Sequence, residues 1–178
     1  VWMLDGSSGA WVEVRASGVA PSPRSFHSCV AVGGAPAGAA AGTEAAPGSA
    51  PIFPKSFGVA AAVFGGLDAA SRHLNDLHVL HAAGVWVWAR VRTAGLPLAP
   101  RGSMVASSAP AISSEPSSDS SSDSSSRSSS LVLVFGGSSD WEDSSGGATR
   151  LHSDGAALDL SPCLAALARA AKGEPVAA

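Results

Sequence analysis

Two histidines three residues apart, His78 and His81, are the residues whose type and spacing first suggest chemistry, because imidazole is a common metal ligand. They lie in residues 75–81, where apolar and polar residues alternate as in a β-strand. On a strand, an offset of three places two side chains on opposite faces. No other ligand set with recognised spacing occurs in the sequence. We therefore expect neither a metal site nor any other cofactor.

Two arginines, Arg24 and Arg101, each follow a proline, Pro23 or Pro100. The planar guanidinium suits bidentate contact with a carboxylate. That carboxylate could belong to a partner protein, or the arginine could form an internal ion pair that fixes a structural boundary. His27 follows Arg24 closely, and we expect it to pack or to form a hydrogen bond at the same boundary.

Aromatic side chains offer a second route to binding, because their faces can stack on ligands. Trp11 and Trp88 occupy equivalent positions in two similar segments, which favours packing between structural units over ligand binding. Trp141 lies in a polar segment, and we expect it to be the most exposed aromatic residue. The candidate partner-binding residues are therefore Trp141, Arg24 and Arg101.

Several functional classes lack the motifs or composition that they need. There is no Gly-x-Ser-x-Gly, no phosphate-binding loop and no clear carboxylate pair, so we expect no enzyme within this chain. The net charge of −3, with both signs mixed, argues against nucleic-acid binding. No run of 18 apolar residues occurs, which argues against a membrane span. Two cysteines give no disulfide framework, and we expect a cytoplasmic or nuclear location.

An internal repeat organises these residues. Residues 11–24 (WVEVRASGVAPSPR) and 88–101 (WARVRTAGLPLAPR) share Trp, Val, Arg, Gly, Pro and a final Arg at equal offsets. The shared glycines are Gly18 and Gly95. A repeat of fixed spacing predicts an array of one supersecondary unit.

Short apolar runs between the copies are typical of buried strands. Two of them end in Gly65-Gly66 and in Gly136-Gly137, where a turn of positive φ or a close backbone approach would exclude a Cβ. A further strand follows at 75–81, and Leu80 within it aligns with Leu4 and Leu158 in two similar segments, 1–5 and 154–159. The last strand of the unit is predicted at 88–91, and its earlier copy at 11–14.

Two low-complexity segments lengthen the repeat. Residues 33–56 are rich in Ala, Gly and Pro, and residues 107–130 are rich in Ser. Neither can bury enough apolar surface to offset its ordering entropy, so both are predicted to be disordered insertions. Serines beside acidic residues in 117–130 suit phosphorylation, although a solvated loop is the simpler interpretation. Without about 24 residues of insertion, the period falls to roughly 50, the length of a kelch repeat.

The order of these features resembles the kelch motif: an apolar strand, Gly-Gly, a polar linker, Asn-Asp-Leu (75–77), Trp, and then Gly-x-x-x-x-Pro-Arg. Residues 23–27, Pro-Arg-Ser-Phe-His, resemble the boundary Pro-Arg-x-x-His of that family. The resemblance implies an all-β fold, a partial kelch-type β-propeller of four-stranded antiparallel blades, with the two loop insertions and a short C-terminal helix. The residues expected to define the repeat are Trp11, Gly18, Pro23, Arg24, His27, Gly65, Gly66, Asp76, Leu80, Trp88, Gly95, Pro100, Arg101, Gly136 and Gly137.

On this interpretation the chain divides into four parts. They are the end of a preceding blade (1–24), a complete blade (25–101), a partial blade (102–160) and a short helix with a tail (161–178). About two and a half blades cannot close a ring of 4 to 8. We therefore expect a fragment that needs the remaining blades of the same polypeptide and is poorly stable alone.

The function implied by the resemblance is a protein–protein interaction module that acts as an adaptor or scaffold for another protein. The alternative is a substrate-recognition or accessory propeller of a larger enzyme, of the ubiquitin-ligase adaptor, phosphatase or methyltransferase type. A third interpretation is a purely structural or cytoskeletal cross-linker. Fold alone does not decide among them.

Overall fold

The computed structural model describes residues 1–6, 8–33, 59–83, 85–110, 129–141, 148–171 and 173. These residues form a mostly β fold with one short helix, which confirms the predicted all-β class. Nearly all of the predicted insertion 33–56, and residues 111–128 of the second one, lie outside the described residues. The elements in chain order are β1 (Trp2–Leu4), β2 (Trp11–Glu13), β3 (Ala16–Gly18), β4 (Ser28–Val32), β5 (Val59–Leu67), β6 (His73–Ala83), β7 (Val85–Val91), β8 (Val105–Pro110), β9 (Ser129–Phe135), β10 (Ser138–Trp141), β11 (Ala148–Leu151), β12 (Gly155–Asp159) and α1 (Ser161–Ala171).

The largest sheet has five strands in the order β3-β7-β6-β5-β4. Strands β4 to β7 form an antiparallel meander, in which branched and small apolar residues pair across neighbouring strands. Leu80 of β6 lies opposite Trp88 of β7. In the hairpin of β1 and β2, Leu4 lies opposite Trp11 in the same way. The repeat seen in the sequence is therefore also a repeat of strand pairing.

Strand β3 was not predicted. It pairs in parallel with the outer edge of β7, with Gly18 beside Trp88. Ala, Ser and Gly have low strand propensity, so nothing in 16–18 indicates a strand before β7 is in place. The meander of four strands thus becomes a sheet of five.

The second sheet has three strands in the order β12-β9-β8, and it corrects the bounds of the Ser-rich insertion. Residues 107–110 belong to β8 and residues 129–130 to β9, although both were predicted to lie in the disordered segment. Ser107 pairs with Leu133, and Ala109 pairs with Leu131. Pairing with an apolar neighbour strand overrides the weak propensity of these small residues.

Strand β10 pairs with β11 in an antiparallel hairpin where the sequence predicted only a polar linker. Trp141 is the last residue of β10 rather than part of a loop, and its side chain lies outside the described residues. The hairpin takes the place of the short turn 68–72 between β5 and β6. This correspondence follows from two equivalent bridges, Ser25 to Leu67 and Gly102 to Ser138.

The hydrophobic core lies between the two larger sheets. Phe64, Leu77 and Val79 of the five-stranded sheet form one buried cluster with Val132 and Val134 of β9. Helix α1 packs its apolar side against this cluster, and Met104 and Leu160 complete it. The Asp159 carboxylate accepts hydrogen bonds from the backbone and hydroxyl of Ser161, where the helix begins. Within the described part of the chain, no helix has the length and apolar character to cross a lipid bilayer.

Candidate functional site

Loops at one end of the two sheets meet in a continuous surface. Segment 24–27 leads into β4, and the equivalent segment 101–104 leads towards β8. The Ser103 N–H donates to the Phe26 carbonyl at 2.9 Å, and Gly102 forms a two-way bridge to Ser138 at the foot of the β10–β11 hairpin. Ser25 is bridged in the same way to Leu67, next to the turn 68–72. We call the segments 24–27, 68–72 and 101–104, together with strands β10 and β11, the loop surface.

Arg24 fastens the first part of this surface to the five-stranded sheet. Its two terminal nitrogens contact the two carboxylate oxygens of Asp76 at 2.6 and 3.0 Å. One of them also donates to the Gly65 carbonyl, and Nε donates to the Ser22 carbonyl, both at 3.1 Å. Only 4% of the Arg24 side chain is exposed. The hydrogen bonds from Arg24 are the main reason why the pKa of Asp76 falls to about 2.

Arg101 repeats this arrangement one unit later. It contacts the two oxygens of Asp154 at 2.8 and 3.1 Å, and it donates to the carbonyls of Gly136 and Ala99. Its backbone N–H donates to Leu74, and its carbonyl accepts from Gly66, so the residue links the two sheets. The hydrogen bonds from the Arg101 side chain lower the pKa of Asp154.

Of the two alternatives for Arg24 and Arg101, the structure shows the internal ion pair. Both guanidiniums are buried, and each donates two hydrogen bonds to one carboxylate of the chain. Their exposure is 4% and 0%, which leaves no face for an external carboxylate. The two arginines connect segments 24–27 and 101–104 of the loop surface to the sheets.

A histidine lies beside each carboxylate. His78 has Nε2 3.0 Å from Asp76 and Nδ1 3.1 Å from the Val19 carbonyl. His152 has Nε2 2.8 Å from the Ser139 hydroxyl and Nδ1 3.8 Å from Asp154. Burial, followed by the charge of Arg101, lowers the pKa of His152, which favours the neutral ring at pH 7.

Ser139, His152 and Asp154 have the residue types of a nucleophile, a base and an orienting carboxylate. However, 3.8 Å exceeds a hydrogen bond, and Asp154 is already held by Arg101. The contact between Ser139 and His152 instead ties the two ends of the hairpin together, because Ser139 lies on β10 and His152 directly follows β11. Among the described residues, no group of three potential metal ligands comes together.

Phe26 is the most unusual residue of the loop surface. Its φ is 53°, in the left-handed region, and its side chain is 64% exposed. Ser103, the equivalent residue of segment 101–104, has a φ of 54°. A bulky residue in this conformation costs about 1–3 kcal/mol, and such strain clusters at functional sites. The sequence carried no signal for it, because neither position holds Gly or Asn.

The second glycine of each Gly-Gly pair allows a close approach at the same place. A Cβ at Gly66 would lie 2.6 Å from the Ser25 carbonyl oxygen, and one at Gly137 would lie 2.7 Å from that of Gly102. Both glycines have positive φ, as the sequence predicted for a turn or close approach. His27 is exposed, and its Cβ lies over Gly66.

The other predicted repeat residues lie outside the loop surface. Pro23 and Pro100 are exposed and directly precede the two arginines, and Gly95 is exposed between β7 and Arg101. Trp11 is 65% exposed on β2, whereas Trp88 is half-buried on β7. The expected packing between units is therefore not seen for Trp11.

Comparison with known proteins adds no relative. No protein-family model matches the chain, and no curated protein matches it. The features of the chain that bear on function are the loop surface and the structural repeat.

Proposed function

We propose that this chain is part of a kelch-type β-propeller that binds another protein through the loop surface. The antiparallel meander β4 to β7 supports one four-stranded blade, and β8, β9 and β12 support three strands of a second. The same arginine, Gly-Gly turn and aspartate recur in both at equivalent positions. The hairpin of β1 and β2 then supplies the last two strands of a preceding blade.

The observation that carries the proposal is Phe26, which is exposed, has its backbone in the left-handed region and follows the buried Arg24–Asp76 pair. Exposed aromatic side chains are frequent hot spots of protein interfaces. Phe26 lies two residues after Arg24, which is fixed by its buried pair with Asp76, and its carbonyl accepts a hydrogen bond from the Ser103 N–H. A site that is already ordered loses little entropy when a partner binds, which favours affinity.

The β10–β11 hairpin extends the surface beyond Phe26. It takes the place of a turn of five residues, 68–72, and starts from the same bridged position. Binding residues are often placed on loops that a stiff scaffold positions. An adaptor or scaffold that receives another protein across Phe26 and this hairpin is the function that these features support.

Cross-linking mass spectrometry on the tagged protein in its own cells tests the proposal. We expect cross-links to one partner at the loop surface, and we expect Phe26→Ala to reduce recovery of that partner at least about tenfold. Leu96→Ala is the matched control, because Leu96 is 97% exposed and lies outside the loop surface. Equal recovery with both variants, or turnover of a small substrate without any bound partner, would overturn it.

A further inference from the structure

The His78 ring lies between two hydrogen-bond acceptors. Its Nε2 is 3.0 Å from a carboxylate oxygen of Asp76, and its Nδ1 is 3.1 Å from the carbonyl oxygen of Val19. Only 4% of the His78 side chain is exposed. An ionised carboxylate and a carbonyl can only accept, so both contacts are hydrogen bonds only when each ring nitrogen carries a proton. The geometry therefore fits the imidazolium form of His78.

The described residues that contact or pair with His78 differ in the charge that they bring to it. Asp76 lies on the same side of β6 and is ionised at neutral pH, because hydrogen bonds from Arg24, and then from His78, lower its pKa to about 2. Arg24 contacts this carboxylate from the segment before β4. Arg90, opposite His78 on β7, is exposed, and Val63, opposite it on β5, carries no charge. Asp76 thus favours a charged ring, and the two arginines oppose it.

A neutral His78 ring cannot keep both hydrogen bonds, because it has a single N–H. The hydrogen bond to the charged carboxylate of Asp76 is the stronger of the two, so the remaining proton stays on Nε2. The lone pair of Nδ1 then faces the oxygen of the Val19 carbonyl across 3.1 Å. Since both atoms are acceptors, the contact with Val19 is the one that opens.

Val19 directly follows β3, the short strand on the outer edge of the five-stranded sheet. Strand β3 pairs with β7 over three residues, and the Val19 N–H donates to the Trp88 carbonyl at 3.0 Å. The N–H of Val19 is therefore held by β7 and its carbonyl by His78. Because Ala, Ser and Gly have low strand propensity, β3 depends on such contacts to stay in place.

The histidine is not part of the structural repeat. Asp154 is the counterpart of Asp76, because each holds the arginine of its own unit. Two residues after Asp154 the sequence has Ala156, whereas two residues after Asp76 it has His78. The arginine–aspartate pair thus forms without a histidine at this position. What His78 adds is the contact with Val19.

We propose that His78 is a pH-dependent clasp, which holds β3 on the edge of β7 when its ring is protonated and releases it when the ring is neutral. Protonation supplies the N–H that the Val19 carbonyl accepts, and the same proton returns to water on release. Residues 14–19 connect the β1–β2 hairpin to the five-stranded sheet, so the clasp sets how firmly the two are joined. Release also uncovers the outer edge of β7 at residues 86–88. The clasp does not depend on the proposed partner-binding function.

NMR spectroscopy of the whole chain from about pH 5 to about pH 9 tests the proposal, because histidine rings titrate in this range. The nitrogen chemical shifts of the His78 ring show when it changes from two N–H groups to one. In the same step, we expect the exchange protection of the Val19 amide, corrected for intrinsic exchange rates, to fall about tenfold, as the loss of one hydrogen bond to a charged group predicts. Amides paired between β4 and β5 should keep their protection.

Two variants separate the clasp from other titrations. His78→Gln cannot take up a proton, so the protection of the Val19 amide should no longer change with pH. His73→Gln is the matched control, because it makes the same change at the start of the same strand and should keep the pH-dependent step. If His78→Gln does not fold, the ring and amide measurements on the wild-type chain still decide the outcome.

Three results would each overturn the proposal. The first is a His78 ring that stays in one protonation state over the whole pH range. The second is a Val19 amide whose protection does not follow the ring. The third is a pH-dependent step that persists in a folded His78→Gln variant.

Discussion

Arg24 and Asp76, 52 residues apart in the sequence, are joined by two parallel hydrogen bonds of 2.6 and 3.0 Å. Arg101 and Asp154, 53 residues apart, are joined in the same way. In both cases the arginine precedes the first strand of an antiparallel set, β4 or β8. The aspartate lies in the third strand of the first set, β6, or directly before that of the second, β12. Each pair therefore holds the segment that leads into a sheet against a later part of the same sheet.

Asp76→Asn should destabilise the protein by about 2–4 kcal/mol, because it leaves the buried guanidinium of Arg24 without its counter-charge. The matched control is Asp68→Asn, whose ion-pair partner Arg72 is 79% exposed, so its loss of stability should be clearly smaller. Urea denaturation of both variants measures the difference. Similar losses for the two would show that burial of the pair is not what matters.

Acid should remove the contribution of Asp76. Its pKa is about 2 in the folded protein, below its ordinary value of 3.8, so its stabilisation is complete above pH 4 and is lost as the pH falls towards 2. Since 17% of the side chain is exposed, we expect a loss of about 1–2 kcal/mol. Denaturation at a series of pH values checks this. The Asp76→Asn variant should lack that part of the acid dependence, and an unchanged dependence would contradict the assignment.

Gly18→Ala should cost several times more than Gly95→Ala. Both glycines have positive φ, 85° and 93°, so alanine meets a similar backbone strain of about 1 kcal/mol at each. A Cβ at Gly18 would also collide with the Trp88 carbonyl, whereas nothing lies within 4 Å of one at Gly95. Thermal unfolding of the two variants measures the difference, and it should coincide with faster amide exchange along β3.

Phe26→Gly should stabilise the protein by about 1 kcal/mol while weakening partner binding. Glycine relieves the left-handed strain, and the exposed ring contributes little to the core. Ser103→Gly is the control, because it relieves an equivalent φ without removing an aromatic side chain. Partner affinity and the free energy of unfolding are measured on the same samples of both variants. A Phe26→Gly variant that binds its partner normally would remove Phe26 from the interface.

The positions of most strands could be predicted, because alternation and the repeat mark them directly. Leu80 and Trp88 stand in the same relation as Leu4 and Trp11, and the structure pairs both couples. The kelch identity of the array stays a prediction. Strand β3 could not be foreseen, since its three residues acquire strand conformation only beside β7.

The candidate site was less predictable than the fold. The arginines were recognised as half of a carboxylate pair, but their partners lie more than 50 residues away and follow no local spacing rule. The strain at Phe26 is likewise invisible in the sequence, because tertiary hydrogen bonds and not residue type impose it. The sequence predicts a linker in place of the β10–β11 hairpin, because strands of only four residues give little alternation.

The replacement of the turn 68–72 by a hairpin has a practical consequence for work on this molecule. The length of the connection after β5 differs from that after β9, although the bridges at Leu67 and Ser138 are equivalent. A peptide epitope or a small fluorescent reporter inserted at Ser71 would therefore project from the five-stranded sheet as the hairpin does from its neighbour. Labelling at this point reaches the loop surface while the strands beneath it keep their register.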